Sequence, residues 1–175
     1  MGNNYFAKQR IFIIKYCIIS CNIIVILTIP HCRSSKSTSN TTIYKKFDKH
    51  TLITEAKKQI GKKYKIGGCS PNTGFDCSGF TKYVYEQFGV HLPKTAANQY
   101  DEGRAISTMN ADKGDLIFFK GSDKNGREVG HVGIVVQRHG SAISFIHAST
   151  SKGIMISSLD EKYFKERFIK IKRIK

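Results

Sequence analysis

The second half of the chain contains five short segments rich in Val, Ile and Phe, separated by Gly, Asp, Asn and Ser. Segments of this length and composition, bounded by turn residues, predict β-strands. The last of them alternates apolar with basic side chains, which predicts a half-solvated strand at the edge of a sheet. The five predicted strands cover residues 115–119, 131–138, 142–148, 153–158 and 167–174.

Helical patterns precede these strands. Thr51 is a suitable N-cap for a helix over 52–60, and Gly61 is a suitable terminator. A second pattern with apolar side chains on one face covers 77–88, and a short third helix is predicted to start at Thr95. Helices first and strands later predict an α+β fold, with N-terminal helices packed on one face of a roughly five-stranded antiparallel sheet.

The N-terminus has the pattern of an export signal. The first 15 residues carry only positive charge, and residues 16–30 form an uncharged, mostly apolar run. The stretch 11–30, interrupted by Lys15, is also close to the length that spans a bilayer, so a retained membrane anchor is the alternative. We therefore predict an export signal over 1–32, a flexible tether over 33–50 and a folded domain over 51–175.

Three of the five cysteines lie in this N-terminal segment. Cys32 ends the apolar run and opens a polar, Ser- and Thr-rich stretch, which resembles the layout of a bacterial lipoprotein. His31 precedes it, where lipoproteins usually have a small residue, and Cys21 has the better local match inside the apolar run. The overall layout favours lipidation at Cys32. Only Cys69 and Cys77 then remain in the domain, too few for a disulfide framework.

The chain is strongly basic, with a net charge of +16. Three of its 29 Lys and Arg and none of its 13 Asp and Glu lie in residues 1–32, so the remainder is also strongly positive. This charge favours polyanionic surroundings, which include nucleic acid, anionic lipid and acidic wall polymer, but it does not choose among them. The export pattern argues against a nucleic-acid partner.

Cys77 stands at the predicted start of the second helix. Unpaired N–H groups and the helix dipole at this position favour the thiolate, so we expect the position to lower the thiol pKa and to suit a nucleophile. Gly74 and Gly79 on either side would allow backbone and substrate to approach closely. The alternatives are a small buried side chain, a disulfide with Cys69, or a zinc site, for which the spacing of Cys69 and Cys77 is too wide.

A cysteine nucleophile also needs an imidazole. Five histidines follow the N-terminal segment, but His50 precedes the first predicted helix, His91 lies in a turn and His139 lies in a hairpin loop. His131 opens one predicted strand and His147 closes the next. Because a hairpin brings the start of its first strand beside the end of its second, His131 and His147 are expected to be neighbours. They would supply a base and an orienting group.

These residues also match a family. The stretch YKIGGCSPNTGFDCSGFTKYVYEQFGVHLPKTAANQ, followed in order by GDLIFF, HVGIVV and IHAS, resembles the NlpC-type cell-wall peptidases. The resemblance covers the chain from about residue 52 to its end. It implies a compact papain-like cysteine peptidase that cuts peptidoglycan stem peptides at D-γ-glutamyl–diaminopimelate bonds or D-alanyl–diaminopimelate crosslinks. It implies Cys77 as nucleophile, His131 as base and His147 as the orienting residue.

The resemblance extends to residues around the nucleophile. Tyr64 matches a tyrosine that lines the substrate site, and Asp76 and Ser78 match residues that bind the amino-terminal end of the stem peptide. The family usually has Arg where this chain has Lys94, a difference at a peripheral contact. The implied enzyme needs no cofactor and no metal. Its expected partners are stem peptides and, through a lipid anchor, a membrane of the bacterial envelope facing the periplasm; we expect no nucleic acid and a monomer.

Overall fold

The computed structural model describes residues 45–123 and 125–174. The predicted export signal, the lipidation sites Cys32 and Cys21 and most of the predicted tether lie outside these residues. Within the described ranges, no helix is both long enough and apolar enough to cross a membrane. Residues 45–50, assigned to the tether from sequence, contact the domain: Lys45 N–H donates to Gln87 O (3.0 Å), and the Phe47 ring packs on Phe88.

Three helices form the N-terminal layer, each with a side-chain cap. Helix α1 spans Lys49–Lys57, α2 spans Cys77–Glu86 and α3 spans Ala96–Asp101. The prediction that Thr51 caps the first helix was wrong. Asp48 is the cap and accepts from Thr51 N at 2.8 Å. The helix therefore starts at Lys49 and not at residue 52, and Thr51 lies in its first turn. The prediction for the third helix is confirmed, since Thr95 caps α3.

The strands form a two-stranded hairpin and a six-stranded antiparallel sheet. The hairpin pairs β1, Cys69–Ser70, with β2, Gly74–Phe75. In the large sheet the strand order is β3-β8-β4-β5-β6-β7. These strands are β3 Arg104–Ile106, β4 Leu116–Lys120, β5 Val129–His139, β6 Ala142–Ser149, β7 Gly153–Ser158 and β8 Phe168–Arg173.

The sheet departs from the sequence prediction at one edge. All five predicted strands form, but the short strand β3 adds a sixth and pairs with β8 through Ala105 and Lys172. The last strand therefore lies inside the sheet between β3 and β4, and its assignment as an edge strand was wrong. Its alternating basic side chains reflect one solvated face and not an unpaired edge, since β3 supplies the missing hydrogen bonds.

Apolar side chains cover both faces of the sheet. One face packs on α1, α2 and α3, with Phe80 and Val84 of α2 against Val132 and Ile134 of β5. These three are the N-terminal helices that the sequence predicted on one face of the sheet. The other face packs on a further short helix, α4 at Lys162–Arg167, whose Phe164 is 7% exposed and contacts aromatic side chains of β4 and β6. The N-terminal helices on an antiparallel sheet confirm the α+β prediction.

Candidate active site

Cys77 is the first residue of α2, and the preceding aspartate fixes its position. Asp76 Oδ1 accepts from Gly79 N at 2.6 Å, which caps the helix. Its other carboxylate oxygen, Oδ2, accepts from Gly67 N at 2.8 Å. One carboxylate therefore joins the start of α2 to the glycine-rich loop that runs between α1 and β1. This loop carries Tyr64.

The glycines around Cys77 allow backbone segments to touch. Gly68 O accepts from Asp76 N at 2.9 Å, and a Cβ at Gly79 would lie only 2.0 Å from the same oxygen. Gly74 has a φ of +102°, and a Cβ there would lie 2.7 Å from Lys63 O. The expected close backbone approach at Gly74 and Gly79 is confirmed. Clearance for a substrate at these glycines stays a prediction.

The two predicted histidines are in contact. Strands β5 and β6 form the expected hairpin, with Gly133 opposite His147, and His131 Nε2 lies 3.0 Å from His147 Nδ1. Their rings meet edge to face with centroids 5.1 Å apart. A Cβ at Gly133 would lie 3.2 Å from His147 Cβ, so this glycine makes room for the pair. The prediction that His131 and His147 are neighbours is confirmed.

A single cleft brings the cysteine and the histidines together. Its volume is about 510 Å³, within the range of small-molecule and peptide sites. Cys77 belongs to the core on the α2 side, whereas both histidine rings pack with aromatic rings of the α4 side, so the cleft lies where the two layers meet. The residues that line it include Tyr64, Cys77, His131, His147, Ser157 and Phe164.

The other histidines lie elsewhere. His50 is exposed in α1, His91 is exposed in the irregular segment between α2 and α3, and His139 ends β5 at the hairpin. None of these three lines the cleft. Among the five histidines considered from sequence, the structure thus places at the cysteine the two that strand pairing selected.

Ser157 is a member of this site that the sequence analysis missed. Its Oγ lies 3.2 Å from His147 Nε2, on the far side of the ring from His131. Strand alternation contains the necessary information, because β7 pairs with β6 and Ser157 is two residues from Met155, which stands opposite His147. The register between those strands could not be read from the sequence, so the serine was not singled out.

Burial keeps the site neutral at rest. It raises the pKa of the Cys77 thiol, and the N–H groups of Val132, Ser78 and Cys77 itself offset this only in part. Burial also lowers the pKa of His131 to about 4 and that of His147 to about 3. The expectation that the helix start lowers the thiol pKa was wrong, because desolvation of the thiolate outweighs the backbone donors.

Alkylation of Cys77 by iodoacetamide is expected to show this neutral resting state. Because only the thiolate reacts and the thiol pKa is raised above its ordinary value, the rate should climb about tenfold per pH unit from pH 6 to 9. The measurement is mass spectrometry of the peptide that carries Cys77, with free cysteine alkylated in parallel as reference. A rate that is already constant between pH 5 and 8 would show a preformed thiolate and contradict the expectation.

The predicted substrate residues have different surroundings. Tyr64 lines the cleft, and its pKa is raised by burial and by the nearby Cys77 and Asp76. Asp76 and Ser78 do not line the cleft, and their polar atoms bind the protein itself: Ser78 Oγ donates to Lys94 O at 2.7 Å and approaches Asp76 Oδ1 at 3.2 Å. A role for Asp76 and Ser78 in substrate binding stays a prediction. The Lys94 side chain is exposed.

The alternatives for the cysteine pair are also addressed by the structure. Cys69 lies exposed in β1 and Cys77 lies buried at the start of α2, and both are free thiols. In residues 45–123 and 125–174, no three His, Cys, Asp or Glu side chains are grouped so that they could hold a metal ion. The thiol of Cys77 is therefore available for chemistry in this structure.

A cysteine at a helix start, a histidine pair on an antiparallel sheet and a shared cleft define the papain-like architecture of cysteine peptidases. The model of the NlpC/P60 family matches residues 61–173, and the chain belongs to this family. The resemblance predicted from the motifs is thereby confirmed.

The chain is similar to parts of longer known proteins. It is 38% identical over 123 residues to the gamma-DL-glutamyl hydrolase of Bacillus subtilis (strain 168), which covers 70% of this chain and 28% of that protein. It is 40% identical over 115 residues to the murein DD-endopeptidase MepS/murein LD-carboxypeptidase of Escherichia coli (strain K12), covering 65% of this chain and 56% of that protein. The chain thus spans about a quarter of the length of the first relative and just over half of the length of the second.

Solved structures share the fold. An NlpC/P60 family protein from Bacillus cereus ATCC 10987 superposes with a TM-score of 0.66 at 29% identity, over 74% of this chain and 41% of that chain. A lipoprotein-like NLP/P60 family protein from Staphylococcus aureus subsp. aureus Mu50 superposes with a TM-score of 0.63 at 37% identity, over 76% and 44% of the two chains. The α+β fold is therefore that of NlpC/P60 domains.

Proposed function

We propose that this chain is a cysteine peptidase that hydrolyses a peptide bond in peptidoglycan, within the stem peptide or its crosslink. The observation that carries the proposal is the convergence of Cys77, His131 and His147 in one cleft. Two relatives support the substrate class, since one bears the name murein endopeptidase and the other gamma-DL-glutamyl hydrolase. A nucleophile, a base and an orienting group are the parts that acyl transfer requires.

The proposed reaction begins with a proton transfer inside the cleft. His131 Nε2 is occupied by His147, so Nδ1 is the nitrogen left to take the thiol proton of Cys77. As the proton moves, the sulfur attacks the peptide carbonyl carbon and a C–S bond forms. The imidazolium of His131 then protonates the leaving amine, and the C–N bond breaks. Water, deprotonated by His131, hydrolyses the thioester and restores the thiol.

Backbone donors near the sulfur would stabilise the oxyanion. The N–H groups of Cys77, Ser78 and Val132 each act to lower the pKa of the Cys77 thiol, and the first two belong to the open end of α2. We propose the Cys77 N–H as an oxyanion donor. The loss of one such donor typically costs about 2.7–4 kcal/mol of transition-state stabilisation. The fixed geometry of the capped helix start makes these donors preorganised.

The cleft walls suit a short anionic peptide. Lys120 and Lys152 line the cleft together with one acid, Glu161, so its cationic groups outnumber its anionic ones. Stem peptides carry free carboxylates, which such cations attract. We propose that Tyr64 forms the cleft wall beside the nucleophile. We also propose that Asp76 and Ser78 bind the amino-terminal end of the stem peptide. The scissile bond is D-γ-glutamyl–diaminopimelate or D-alanyl–diaminopimelate.

We also propose that the enzyme is exported and works as a monomer in the bacterial envelope, anchored by lipid at Cys32 and facing the periplasm. The basic start, the apolar run and the polar stretch after Cys32 support this placement. A membrane anchor would hold the enzyme near its substrate. The proposed reaction uses neither a cofactor nor a nucleic-acid partner. Metabolic labelling with a tagged fatty acid tests the anchor: the label should be lost in Cys32→Ala and kept in Cys21→Ala, and the reverse result would refute this choice.

Mass spectrometry of purified muropeptides after digestion by the full chain tests the proposed reaction. We expect fragments in which one peptide bond is hydrolysed and the peptide remains attached to the sugar. An intact stem peptide released from the sugar would instead indicate an amidase on the same scaffold. Products joined to a new amine would indicate an acyltransferase. If wild type and Cys77→Ala bound sacculi equally and neither released peptides, the chain would be an inert wall-binding module.

A further inference from the structure

The hydroxyl of Ser157 completes the polar environment of His147. Its Oγ lies 3.2 Å from His147 Nε2, and the two residues are only 6% and 3% exposed. We propose that Ser157 is a positioning residue that accepts a hydrogen bond from His147 Nε2–H and so fixes the tautomer in which His131 can take the proton of Cys77. The inference rests on the proposed function of the cleft and deepens it.

The number of protons on two neutral imidazole rings determines which ring nitrogens can accept. Each neutral imidazole carries one N–H and one acceptor nitrogen. For His131 Nδ1 to accept the thiol proton, His131 must carry its own proton on Nε2 and donate it to His147 Nδ1, 3.0 Å away. His147 must then carry its proton on Nε2, and that N–H needs an acceptor. Ser157 Oγ is the atom in position.

The opposite arrangement would switch the base off. If Ser157 donated to His147 Nε2, His147 would carry its proton on Nδ1 and donate to His131 Nε2. His131 would then carry its proton on Nδ1, the nitrogen that must receive the thiol proton. Two hydrogen-bond distances of similar length are compatible with both arrangements, so the direction of the Ser157 hydrogen bond decides between an active and an inactive base.

The surroundings leave His147 dependent on these two partners. Phe145 and Phe164 pack on its ring with centroids 5.2 and 5.1 Å away, and neither offers a hydrogen bond to a ring nitrogen in the plane of the ring. In the described part of the chain, each nitrogen of His147 has one hydrogen-bond partner, His131 on one side and Ser157 on the other. An unpaired N–H in such a buried place is costly, so loss of the serine oxygen should redistribute the tautomers.

Ser157 itself does not take part in proton transfer. During attack the thiol proton moves to His131 Nδ1, which makes His131 an imidazolium whose Nε2–H still donates to His147. His147 stays neutral and still donates to Ser157. The hydroxyl proton of Ser157 can point into the cleft, which this residue lines. The serine therefore acts through His147 and contacts none of the reacting atoms.

The first test is steady-state kinetics of full-length variants on a soluble stem peptide. Ser157→Ala is expected to lower kcat by about 10–100-fold with KM within about twofold, the effect of losing one hydrogen bond that supports a developing charge. Ser157→Thr retains the hydroxyl and should stay within about threefold of wild type in kcat. Ser158→Ala is the matched control, since its hydroxyl accepts from Asp160 N at 3.2 Å on the other face of the strand. An unchanged kcat in Ser157→Ala would overturn the proposal.

The second test reads the tautomer directly and does not depend on activity. In ¹⁵N NMR of the full chain at pH 7, His147 should carry its proton on Nε2 in wild type, with a mixture of tautomers in Ser157→Ala. Wild-type His147 protonated on Nδ1 would overturn the proposal even if Ser157→Ala failed to fold. A wild type that cleaves no stem peptide yet has the expected tautomer would sink the proposed function and leave the role of Ser157 in orienting His147 intact.

Discussion

Replacement of Cys77 by alanine is expected to lower kcat/KM for hydrolysis of a stem peptide by at least about 10⁴-fold. The sulfur is the only protein atom that bonds to the substrate carbonyl carbon in the proposed reaction, so its loss removes acylation altogether. The residual rate would come from binding and oxyanion stabilisation alone. The measurement is peptide hydrolysis followed by chromatography, with thermal unfolding of each variant to establish that the fold is retained.

Cys69→Ala is the matched control for this prediction. Cys69 lies exposed in β1 and Cys77 lies buried at the helix start, although only seven residues separate them in the sequence. Activity of Cys69→Ala should stay within about twofold of wild type. If Cys77→Ala kept most of its activity while remaining folded, the nucleophile would have to lie elsewhere and the proposed mechanism would fail.

Gly79→Ala is expected to lower the free energy of unfolding by at least about 3 kcal/mol. Alanine is the better helix former by about 1 kcal/mol, which favours the variant. The added Cβ, however, would lie 2.0 Å from Gly68 O and 3.0 Å from Asp76 Oδ1, a clash with backbone that cannot move without breaking the contact between loop and helix. Overpacking of this severity lies at or beyond the upper end of the usual 1–3 kcal/mol, so the clash outweighs propensity.

Chemical denaturation of the two proteins measures this difference, and Gly140→Ala is the control. Gly140 lies in the β5–β6 turn with a φ of +58°, and a Cβ there would meet nothing within 4 Å. The same substitution there introduces only the strain of a left-handed residue, about 1 kcal/mol. Equal stability losses in the two variants would show that the contact between Gly79 and Gly68 contributes nothing special to the domain.

The parts of the site that could be predicted from sequence depend on local rules. The apolar face of the pattern over 77–88 predicted a helix that starts at Cys77, and two consecutive strands joined by a short turn predicted the hairpin that carries the histidines. These rules placed Cys77 at a helix start and brought His131 beside His147. Hairpin topology was enough to bring the two residues close, but it did not set the face. A bulge between Val135 and Gln137 shifts the register by one and puts His147 opposite Gly133, on the face that His131 occupies.

The parts that could not be predicted depend on contacts between distant segments. Strand β3 has three residues, too few to show a pattern, and it exists because β8 pairs with it from the other end of the chain. Helix α4 has six residues and is held by Phe164 on the sheet. Neither β3 nor α4 shows a periodic pattern in the sequence. The predicted sheet therefore had one strand too few, and the last strand was placed at its edge.

The protonation state of Cys77 also depends on the tertiary structure. A helix start by itself favours a thiolate, and the backbone donors at Cys77 act in that direction. Burial of Cys77 under the loop and against β5 raises the thiol pKa, and this effect is larger than that of the backbone donors. How deeply a residue is buried follows from the packing of all layers, so the sign of the pKa shift at Cys77 could not be read from its neighbours in sequence.

A burst experiment with the full chain and a nitrophenyl ester of the stem peptide's acyl portion tests whether Cys77 forms the acyl-enzyme. An ester acylates the enzyme faster than the thioester hydrolyses, so nitrophenolate should appear as a burst of about one equivalent per protein. Mass spectrometry should locate the acyl group on Cys77, and neither burst nor adduct should occur in Cys77→Ala. Steady turnover of the ester without an adduct on Cys77, or an adduct on Cys69, would contradict the account.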